Sequence, residues 1–189
     1  MKITIHQPEH FPYLGFFQKM QAADLFILLD DVQFTKGNFQ NRNKFQNAKG
    51  DDEWFTITLQ QHPNKYLIKD VEVNSELNWR PALINKLKQK FNKDFSKIYS
   101  HNKLIDINVA SIEYCRKELG ITTPMVLSST LNINSVKSER LSDICKHFNA
   151  TEYLSGKGGK EYLDESVFDC KVTYFEPNVS DYYTTLQHI

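Results

Sequence analysis

The fold is decided by residues 2–31, KITIHQPEHFPYLGFFQKMQAADLFILLDD. Isoleucines alternate with polar residues at the start of this stretch, which is typical of a short strand. After the two prolines, Leu14 and Phe17 begin an apolar pattern with helical spacing. A continuous apolar run at 25–29 then predicts a buried strand that ends at two aspartates. The stretch therefore predicts a strand, a helix and a second strand, which together form a βαβ unit.

A βαβ unit brings the ends of its two strands to the same edge of a parallel sheet. The loop His6–Pro12 and the loop that begins at Asp30 are therefore expected to lie side by side at the carboxyl edge. Open α/β sheets bind their ligands at this edge. We expect the functional residues of the chain in these two loops.

The rest of the chain continues to alternate helices and strands. Helices are predicted over 79–92, over 104–119 and after Ser138, which is expected to cap the last of them. Strands are predicted at EWFTITLQ, YLIKDVEVN, TPMVLSSTL, EYLSG and VTYFEP. The predicted class is α/β, with a three-layer parallel or mixed sheet and an antiparallel insertion around residues 53–74.

The composition limits the classes of protein to which the chain can belong. Its 189 residues contain 23 basic and 23 acidic side chains, which argues against a dedicated nucleic-acid-binding protein. The longest apolar run is too short to span a membrane, and the first residues lack the apolar core of a signal peptide. We expect one cytoplasmic domain over 1–189, with Cys115, Cys145 and Cys170 as free thiols. The sequence makes no prediction of the oligomeric state.

The first candidate group is His6, Gln7 and His10. A histidine at the end of a strand can act as a general acid or base, as a phosphate ligand or as a metal ligand. Pro8 and Pro12 exclude an ordinary helix there, so the spacing of the histidines does not match a zinc-binding helix. A polar loop with a purely structural role is the alternative.

The second candidate group follows the buried strand. Asp30 and Asp31 stand where carboxylates are costly unless they cap a helix, pair with a base or bind a cation. The next residues are rich in amide and basic side chains, which suits recognition of a sugar or a phosphorylated small molecule. These residues are Lys36, Gln40, Asn41, Arg42 and Asn43. The alternative is an ordinary polar surface loop.

The third candidate is SGKGGKEYL at 155–163. Its glycines, with Lys157 and Lys160, would let backbone N–H groups approach a phosphate. The string matches neither the Walker A pattern nor the dinucleotide-binding pattern, so a flexible turn is the alternative.

Several of these elements together resemble the WbqC-like family of bacterial proteins. They are H-Q-P, P-x-L-G-F-F, L-D-D-V-Q-F, Q-N-R-N and Y-L-S-G, and the similarity extends through essentially the whole chain. Members typically accompany gene sets for surface polysaccharides or O-antigen, which implies work on an activated, often amino-deoxy, sugar. The resemblance adds Gln33, Ser155 and Gly156 to the candidate residues. Similar proteins tend to be some tens of residues longer, and a C-terminal segment missing from this chain would remove one wall of a pocket.

The working hypothesis is an enzyme that transfers an acyl or aminoacyl group to the amine of a nucleotide-activated sugar. His6 or His10 would act as the base or bind phosphate, and Asp30 or Asp31 would orient that imidazole or the sugar amine. The donor is left open: ATP or an acyl donor could be consumed, and no metal is expected.

Two alternatives remain. The amide and arginine cluster would suffice for a non-catalytic protein that binds a nucleotide sugar or glycan. His6, His10, Asp30 and Asp31 could instead be ligands of a metal-dependent hydrolase. The order of strand, loop and helix is also similar to nucleotidyltransferase-like folds, but H-Q-P-E-H lacks the glycine of their H-x-G-H signature, so use of a nucleotide stays open.

Overall fold

The chain begins with the predicted strand, helix and strand. In the computed structural model, which describes residues 1–189, β1 is Lys2–His6, α1 is Leu14–Gln21 and β2 is Leu25–Leu28. The two strands are parallel neighbours. The predicted βαβ unit is therefore confirmed.

β1 and β2 belong to a five-stranded sheet in which every pair of neighbours is parallel. The other strands are β5 (Met125–Leu127), β6 (Glu152–Gly156) and β7 (Lys171–Phe175). The strand order is β5-β2-β1-β6-β7. Helix α4 (Lys137–His147) lies between β5 and β6 in the chain. The predicted α/β class with a parallel sheet is confirmed.

Helices cover both faces of this sheet. On one face, Ile3 of β1 shares a buried cluster with Leu141 and Ile144 of α4. On the other face, the ring of Phe26 in β2 lies 4.9 Å from the ring of Phe16 in α1. In β2, Ile27 belongs to the cluster with α4 whereas Phe26 contacts α1, as the pleat requires. The sheet and its helices form three layers.

The chain divides into two compact units, each assembled from separate stretches of sequence. Unit 1 contains residues 1–7, 15–30 and 121–180. Unit 2 contains residues 8–14, 31–120 and 181–189. The five-stranded sheet belongs to unit 1.

Unit 2 contains an antiparallel hairpin and two helices. The hairpin strands are β3 (Arg42–Gln46) and β4 (Asp52–Thr56), and the helices are α2 (Arg80–Phe91) and α3 (Leu104–Glu118). Its core is dominated by fully buried aromatic side chains, namely Phe11, Phe45, Phe55, Phe95 and Tyr99. No helix of either unit is both long and apolar enough to cross a membrane.

The antiparallel pairing differs in one respect from the prediction. The stretch 66–74 was expected to be a strand, but it contains a short 3-10 turn at Ile68–Asp70 and isolated bridges such as Leu59–Val73. β4 pairs instead with β3, which lies in the stretch that we predicted to be a loop with substrate-binding residues. β3 forms because alternate residues, Asn43 and Phe45, are buried, and the polar side chain of Asn43 finds partners inside the protein.

The predicted cap of α4 is also wrong. Ser138 lies inside the helix, which begins at Lys137. The Ser138 hydroxyl oxygen accepts a hydrogen bond from the backbone N–H of Asp164 at 3.0 Å. A contact from a distant part of unit 1 therefore occupies the hydroxyl that we expected to cap the helix.

Candidate functional site

The five-stranded sheet has a topological switch point between β1 and β6. From β1 the chain proceeds through β2 and β5 on one side, and α4 then returns it to β6 on the other side. In open α/β sheets, ligands bind outside the carboxyl ends of the two strands that flank such a point. Here those ends are His6 and Gly156.

The backbone pairing of β1 and β6 ends before the carboxyl edge. The two strands pair at Lys2 with Glu152 and at Ile3 with Tyr153, although both continue for three further residues. Beyond the paired positions, the Thr4 hydroxyl donates a 2.7 Å hydrogen bond to the carbonyl oxygen of Leu154. A side chain thus replaces the backbone ladder, and the carboxyl ends of the two strands are left unpaired with each other.

His6 ends β1 and is half-buried. Its Nδ1 lies 2.9 Å from the carbonyl oxygen of Gln7, which can only accept, so Nδ1 carries the proton and Nε2 the lone pair. The ring packs edge-on against Phe16, with 5.0 Å between the centroids. Burial and, to a smaller extent, the Lys19 ammonium lower the pKa of His6 to about 3, against a weaker opposing effect of the Gln7 carbonyl. At neutral pH the imidazole is uncharged and Nε2 carries a lone pair, although the low pKa makes this nitrogen a weak base in the free protein.

Lys19 is a residue of this edge that the sequence reasoning missed. Its side chain comes from α1, only 4% of the residue is exposed, and Nζ donates a 3.1 Å hydrogen bond to the carbonyl oxygen of Ile5. A Cβ built on Gly156 would lie 3.8 Å from the same Nζ. One signal was available in the sequence: Lys19 is three residues after Phe16 and next to Met20, on the face of α1 that is buried.

The candidate residues of β6 lie at the same edge as His6. Ser155 is buried, and its hydroxyl donates a hydrogen bond of 3.2 Å to the carbonyl oxygen of Gly156. Lys157 begins a 3-10 turn and forms an ion pair with Glu176, in which both side chains are about 70% exposed. The predicted glycine-rich turn is thus a short 3-10 helix.

Asp30 is buried in unit 1 and fixes the loop after β5. Its carboxylate accepts hydrogen bonds from the Ser128 hydroxyl at 3.1 Å, and from the Ser129 backbone N–H at 2.9 Å and hydroxyl at 2.7 Å. Three donors satisfy a buried carboxylate without a cation. These hydrogen bonds indicate a structural role for Asp30.

His10 belongs to the aromatic core of unit 2. The residue has no exposed surface, its Nε2 lies 2.9 Å from the hydroxyl of Tyr99, and its ring contacts Phe11 and Phe55. Burial lowers the pKa of His10 to about 3. A neutral, fully enclosed imidazole of this kind packs and cannot be reached by a substrate from solvent.

Three of the predicted amide side chains of unit 2 hold the protein's own backbone. Gln40 accepts from the N–H of Thr35 through its Oε1. Asn41 donates to the carbonyl oxygen of Ile57. Asn43 donates to the carbonyl oxygens of His10 and Phe11, the latter at 2.7 Å. The high density of amides in this stretch has a structural explanation.

The remaining candidates of unit 2 are more accessible. Lys36 and Gln33 are exposed, and Gln33 donates to the carbonyl oxygen of Asn64 at 2.6 Å. Arg42 and Asp31 are half-buried. The Arg42 guanidinium lies 4.5 Å from the centre of the Trp54 ring and donates to the carbonyl oxygen of Gly37.

The predicted site residues are thus distributed over the two units. Unit 1 contains His6, Gln7, Asp30, Ser155, Gly156 and Lys157; unit 2 contains His10, Asp31, Gln33, Lys36, Gln40, Asn41, Arg42 and Asn43. In unit 1, His6 and the end of β6 lie at the switch point, together with Lys19. No three His, Cys, Asp or Glu side chains are grouped so that they could hold a metal ion.

Comparison with known proteins identifies a family and a curated relative. The chain is 30% identical over 191 aligned residues to a Mycobacterium tuberculosis protein described as "Uncharacterized protein Rv1507c"; the alignment covers 93% of this chain and 82% of that protein. No solved structure matches significantly. The model of the WbqC-like protein family matches residues 7–188. The chain therefore belongs to the WbqC-like protein family.

Proposed function

We propose that the chain is a transferase that attaches an acyl or aminoacyl group to the amine of a nucleotide-activated amino-deoxy sugar during surface-glycan synthesis. The reaction is assigned to the carboxyl edge of the sheet in unit 1. The observation that carries this assignment is the neutral imidazole of His6 at the topological switch point, with its tautomer fixed by Gln7. The substrate class is inferred from the resemblance of the sequence motifs to the WbqC-like family.

In this reaction the sugar nitrogen attacks the carbonyl carbon of the donor. A C–N bond forms, the bond between the carbonyl carbon and the leaving group of the donor breaks, and the leaving group departs with the bonding electron pair. The nitrogen loses a proton, which His6 Nε2 accepts because Nδ1 is already protonated. Nε2 of His6 is therefore the single atom that we propose as the acceptor of this proton.

Other predicted residues have supporting roles in the proposal. Ser155 and Gly156, at the end of β6, would form one wall of the site, and Lys157 would contact the substrate from the turn that follows. Asp30 fixes the neighbouring loop through Ser128 and Ser129. Because His10 is enclosed in the core of unit 2, we do not assign it the role of base.

For unit 2, the exposed Lys36 and Gln33 and the half-buried Asp31 and Arg42 remain predictions for substrate contact. Gln40, Asn41 and Asn43 are engaged by backbone groups. We therefore assign these three a role in holding the predicted loop rather than in reading hydroxyl groups.

The test uses His6→Gln, which keeps a polar side chain but removes the imidazole. UDP- and dTDP-linked amino sugars are incubated with thioester donors, or with ATP and a carboxylic acid, and the mass of the sugar nucleotide is followed. Removing a general base typically lowers turnover by about 10²–10⁴-fold. We expect a loss in this range, with the ligand-induced thermal shift retained.

The matched control is His147→Gln, which changes an exposed histidine at the end of α4 in the same unit. This variant should turn over at the rate of the unmodified protein. If His6→Gln also retains full turnover, the proposed mechanism is wrong. If the unmodified protein binds a nucleotide sugar but acylates none of the panel, the non-catalytic binding protein replaces the transferase.

A further inference from the structure

We propose that Cys145 and Cys170 are a dithiol pair that a small-molecule disulfide oxidises to an intramolecular disulfide bond, which joins α4 to the start of β7. Cys145 lies in the last turn of α4, and Cys170 directly precedes β7. All three cysteines of the chain are free thiols in the structure. The inference goes beyond the proposed function and does not rest on it.

The pair lies at the amino edge of the five-stranded sheet. Lys171, the first residue of β7, pairs with Glu152, which in turn pairs with Lys2 at the start of β1. His6 is at the other end of β1. A bond at the amino edge therefore forms away from the carboxyl ends to which we assign the transfer reaction.

Contacts on both sides of the pair hold α4 against the segment that leads into β7. The Ser142 hydroxyl donates a 2.7 Å hydrogen bond to the carbonyl oxygen of Val167. One turn further along α4, Lys146 forms an ion pair with Asp169, with 3.3 Å between Nζ and Oδ2. Ser142 and Cys145 are three residues apart and so share a face of the helix. The two segments therefore lie side by side where the cysteines are.

The two cysteines also share one buried cluster. Cys145 is 3% exposed and belongs to the cluster between the sheet and α4, and Cys170 packs against the same cluster. The ring of Phe168 stacks on that of Tyr153, a member of this cluster, with 5.3 Å between the centroids. The two thiol groups are within hydrogen-bonding contact of each other. A disulfide brings its sulfur atoms to about 2.0 Å, so thiols that are already in contact need only a local adjustment.

The two thiols differ in access and in reactivity. Cys170 is half-buried, whereas Cys145 is buried. Burial and, to a smaller extent, the neighbouring Cys170 thiol raise the pKa of Cys145. Because the thiolate is the nucleophile, Cys170 is the thiol that reacts first with a reagent from solvent. Cys145 then resolves the mixed disulfide.

Oxidised glutathione represents the class of oxidant. The Cys170 thiolate attacks one of its sulfur atoms, a mixed disulfide forms, and one glutathione thiolate leaves. The Cys145 thiolate then attacks the Cys170 sulfur and displaces the second glutathione thiolate. The two protons of the protein thiols pass to the two thiolates that leave. The protein thus loses two electrons and two protons, and one oxidised glutathione becomes two reduced molecules.

The experiment exposes the folded protein to oxidised glutathione, blocks the remaining thiols with N-ethylmaleimide in urea, and maps the products by mass spectrometry after digestion with trypsin. Each cysteine falls in a separate tryptic peptide. Peptides 141–146 and 161–171 should be joined by a disulfide. Peptide 104–116 contains Cys115, which has no exposed surface, and should carry the maleimide.

Two variants separate the steps of the reaction. Cys170→Ala should abolish the joined peptides and leave Cys145 unmodified, because the accessible thiol is gone. Cys145→Ala should stop the reaction at a glutathione adduct on Cys170, because the resolving thiol is gone. Cys115→Ala is the matched control, since Cys115 lies in unit 2, and it should give the same joined peptides as the unmodified protein.

Thermal unfolding tests whether the bond fits the folded chain. The oxidised protein should unfold at a temperature higher by about 5 °C or more than the reduced protein, because a disulfide that fits the native geometry restricts the unfolded chain. An oxidised protein that does not unfold at a higher temperature would show that the bond formed only in opened chains, which would overturn the proposal.

The mapping has three further outcomes that contradict the dithiol pair: no joined peptides from the unmodified protein, a lasting glutathione adduct on Cys170, or a bond to Cys115. If Cys145→Ala fails to fold, Cys170→Ala still tests the pair, because its site is half-buried. Acyl transfer is measured in none of these arms, so the dithiol pair and the proposed function can fail separately.

Discussion

The Lys19 ammonium lies 3.1 Å from the carbonyl oxygen of Ile5, so a charged group from the buried face of α1 ends beside the last residues of β1. The contact satisfies one donor of the ammonium and places its charge near His6. The electrostatic consequence is visible in the imidazole, whose pKa falls to about 3 through burial and this neighbouring charge. The low pKa of His6 therefore results chiefly from burial of the ring, and the Lys19 charge makes a smaller contribution.

Stability should fall as the solution is acidified below pH 6.5. His6 and His10 both have a pKa lowered to about 3 in the folded chain, against 6.5 for an unperturbed histidine. Between these values the unfolded chain binds more protons, so the free energy of unfolding decreases as pH falls. The stabilising contribution is complete above pH 6.5, and each histidine removes about 1.4 kcal/mol per pH unit below it. Urea unfolding at pH 7, 6 and 5 measures the slope.

The two histidines can be separated with a double variant. His10→Leu combined with Tyr99→Phe removes both partners of a buried hydrogen bond, which leaves no orphaned hydroxyl. This variant should show about half the slope with pH, because only His6 still contributes. A pH-independent free energy of unfolding between pH 7 and 5 in the unmodified protein would contradict the low pKa values.

Asn43 should be essential for stability rather than for substrate recognition. It is 1% exposed, and its Nδ2 donates to the carbonyl oxygens of His10 and Phe11. Phe11 has a φ of 42°, a strained conformation for a non-glycine residue, so the surrounding contacts must hold it in place. Asn43→Ala leaves two buried carbonyl groups without this donor and should cost about 2–3 kcal/mol in urea unfolding.

Asn38→Ala is the comparison, since Asn38 is exposed in the same stretch. It should change the free energy of unfolding by less than about 0.5 kcal/mol. Equal stabilities of the two variants would show that the Asn43 amide does not hold the Phe11 backbone.

These contacts explain what the sequence could and could not predict. The βαβ unit was predictable because the periodicities of β1, α1 and β2 are local properties of consecutive residues. Asn43 was predicted to contact a substrate because an amide side chain among basic residues is suited to binding hydroxyl groups. Its hydrogen-bond partners, the backbone carbonyl groups of His10 and Phe11, are distant in sequence. Lys19 was missed for the same reason, because the burial of a charged residue is decided by the strand ends that it meets.

The pairing of the hairpin shows the same limit. β4 was predicted from the alternation of apolar and polar residues in its own sequence. Its partner β3 was not predicted to be a strand, because it is rich in amide and basic side chains. The core cluster of unit 1 and the order of strands that creates the switch point are consequences of packing. The sequence therefore predicted the edge of the sheet where the site is assigned, but not all of the side chains that form it.

Asp30 should be required for folding stability. Its buried carboxylate accepts three hydrogen bonds from Ser128 and Ser129. Asp30→Ala leaves these donors unsatisfied, which should cost about 2–4 kcal/mol since hydrogen bonds to a charged group are involved. Asp169→Ala removes a carboxylate that is 80% exposed in its ion pair with Lys146, and should cost less than about 1 kcal/mol. Urea midpoints that are the same for both variants would refute this assignment.

Two adjacent glycines should respond very differently to the same substitution. A Cβ at Gly159 would lie 2.2 Å from the Ser155 hydroxyl oxygen and 3.0 Å from Cδ1 of Leu163, whereas a Cβ at Gly158 would have nothing within 4 Å. Gly159→Ala should therefore destabilise unit 1 by about 1–3 kcal/mol, the usual cost of overpacking. Gly158→Ala should be neutral or stabilise by up to about 1 kcal/mol, because the unfolded chain loses freedom.

A double-mutant cycle identifies the clash. Ser155→Ala removes the oxygen at 2.2 Å and leaves the Ser155 Cβ at 3.3 Å, so Gly159→Ala should cost less in that background than alone. The free energy of unfolding of the four proteins, measured in urea, gives the coupling. An unchanged cost would mean that Leu163 rather than Ser155 opposes the added methyl group. A relieved clash would establish that the turn after β6 is packed directly on Ser155, which holds the strand end opposite His6 in the position that the proposed site requires.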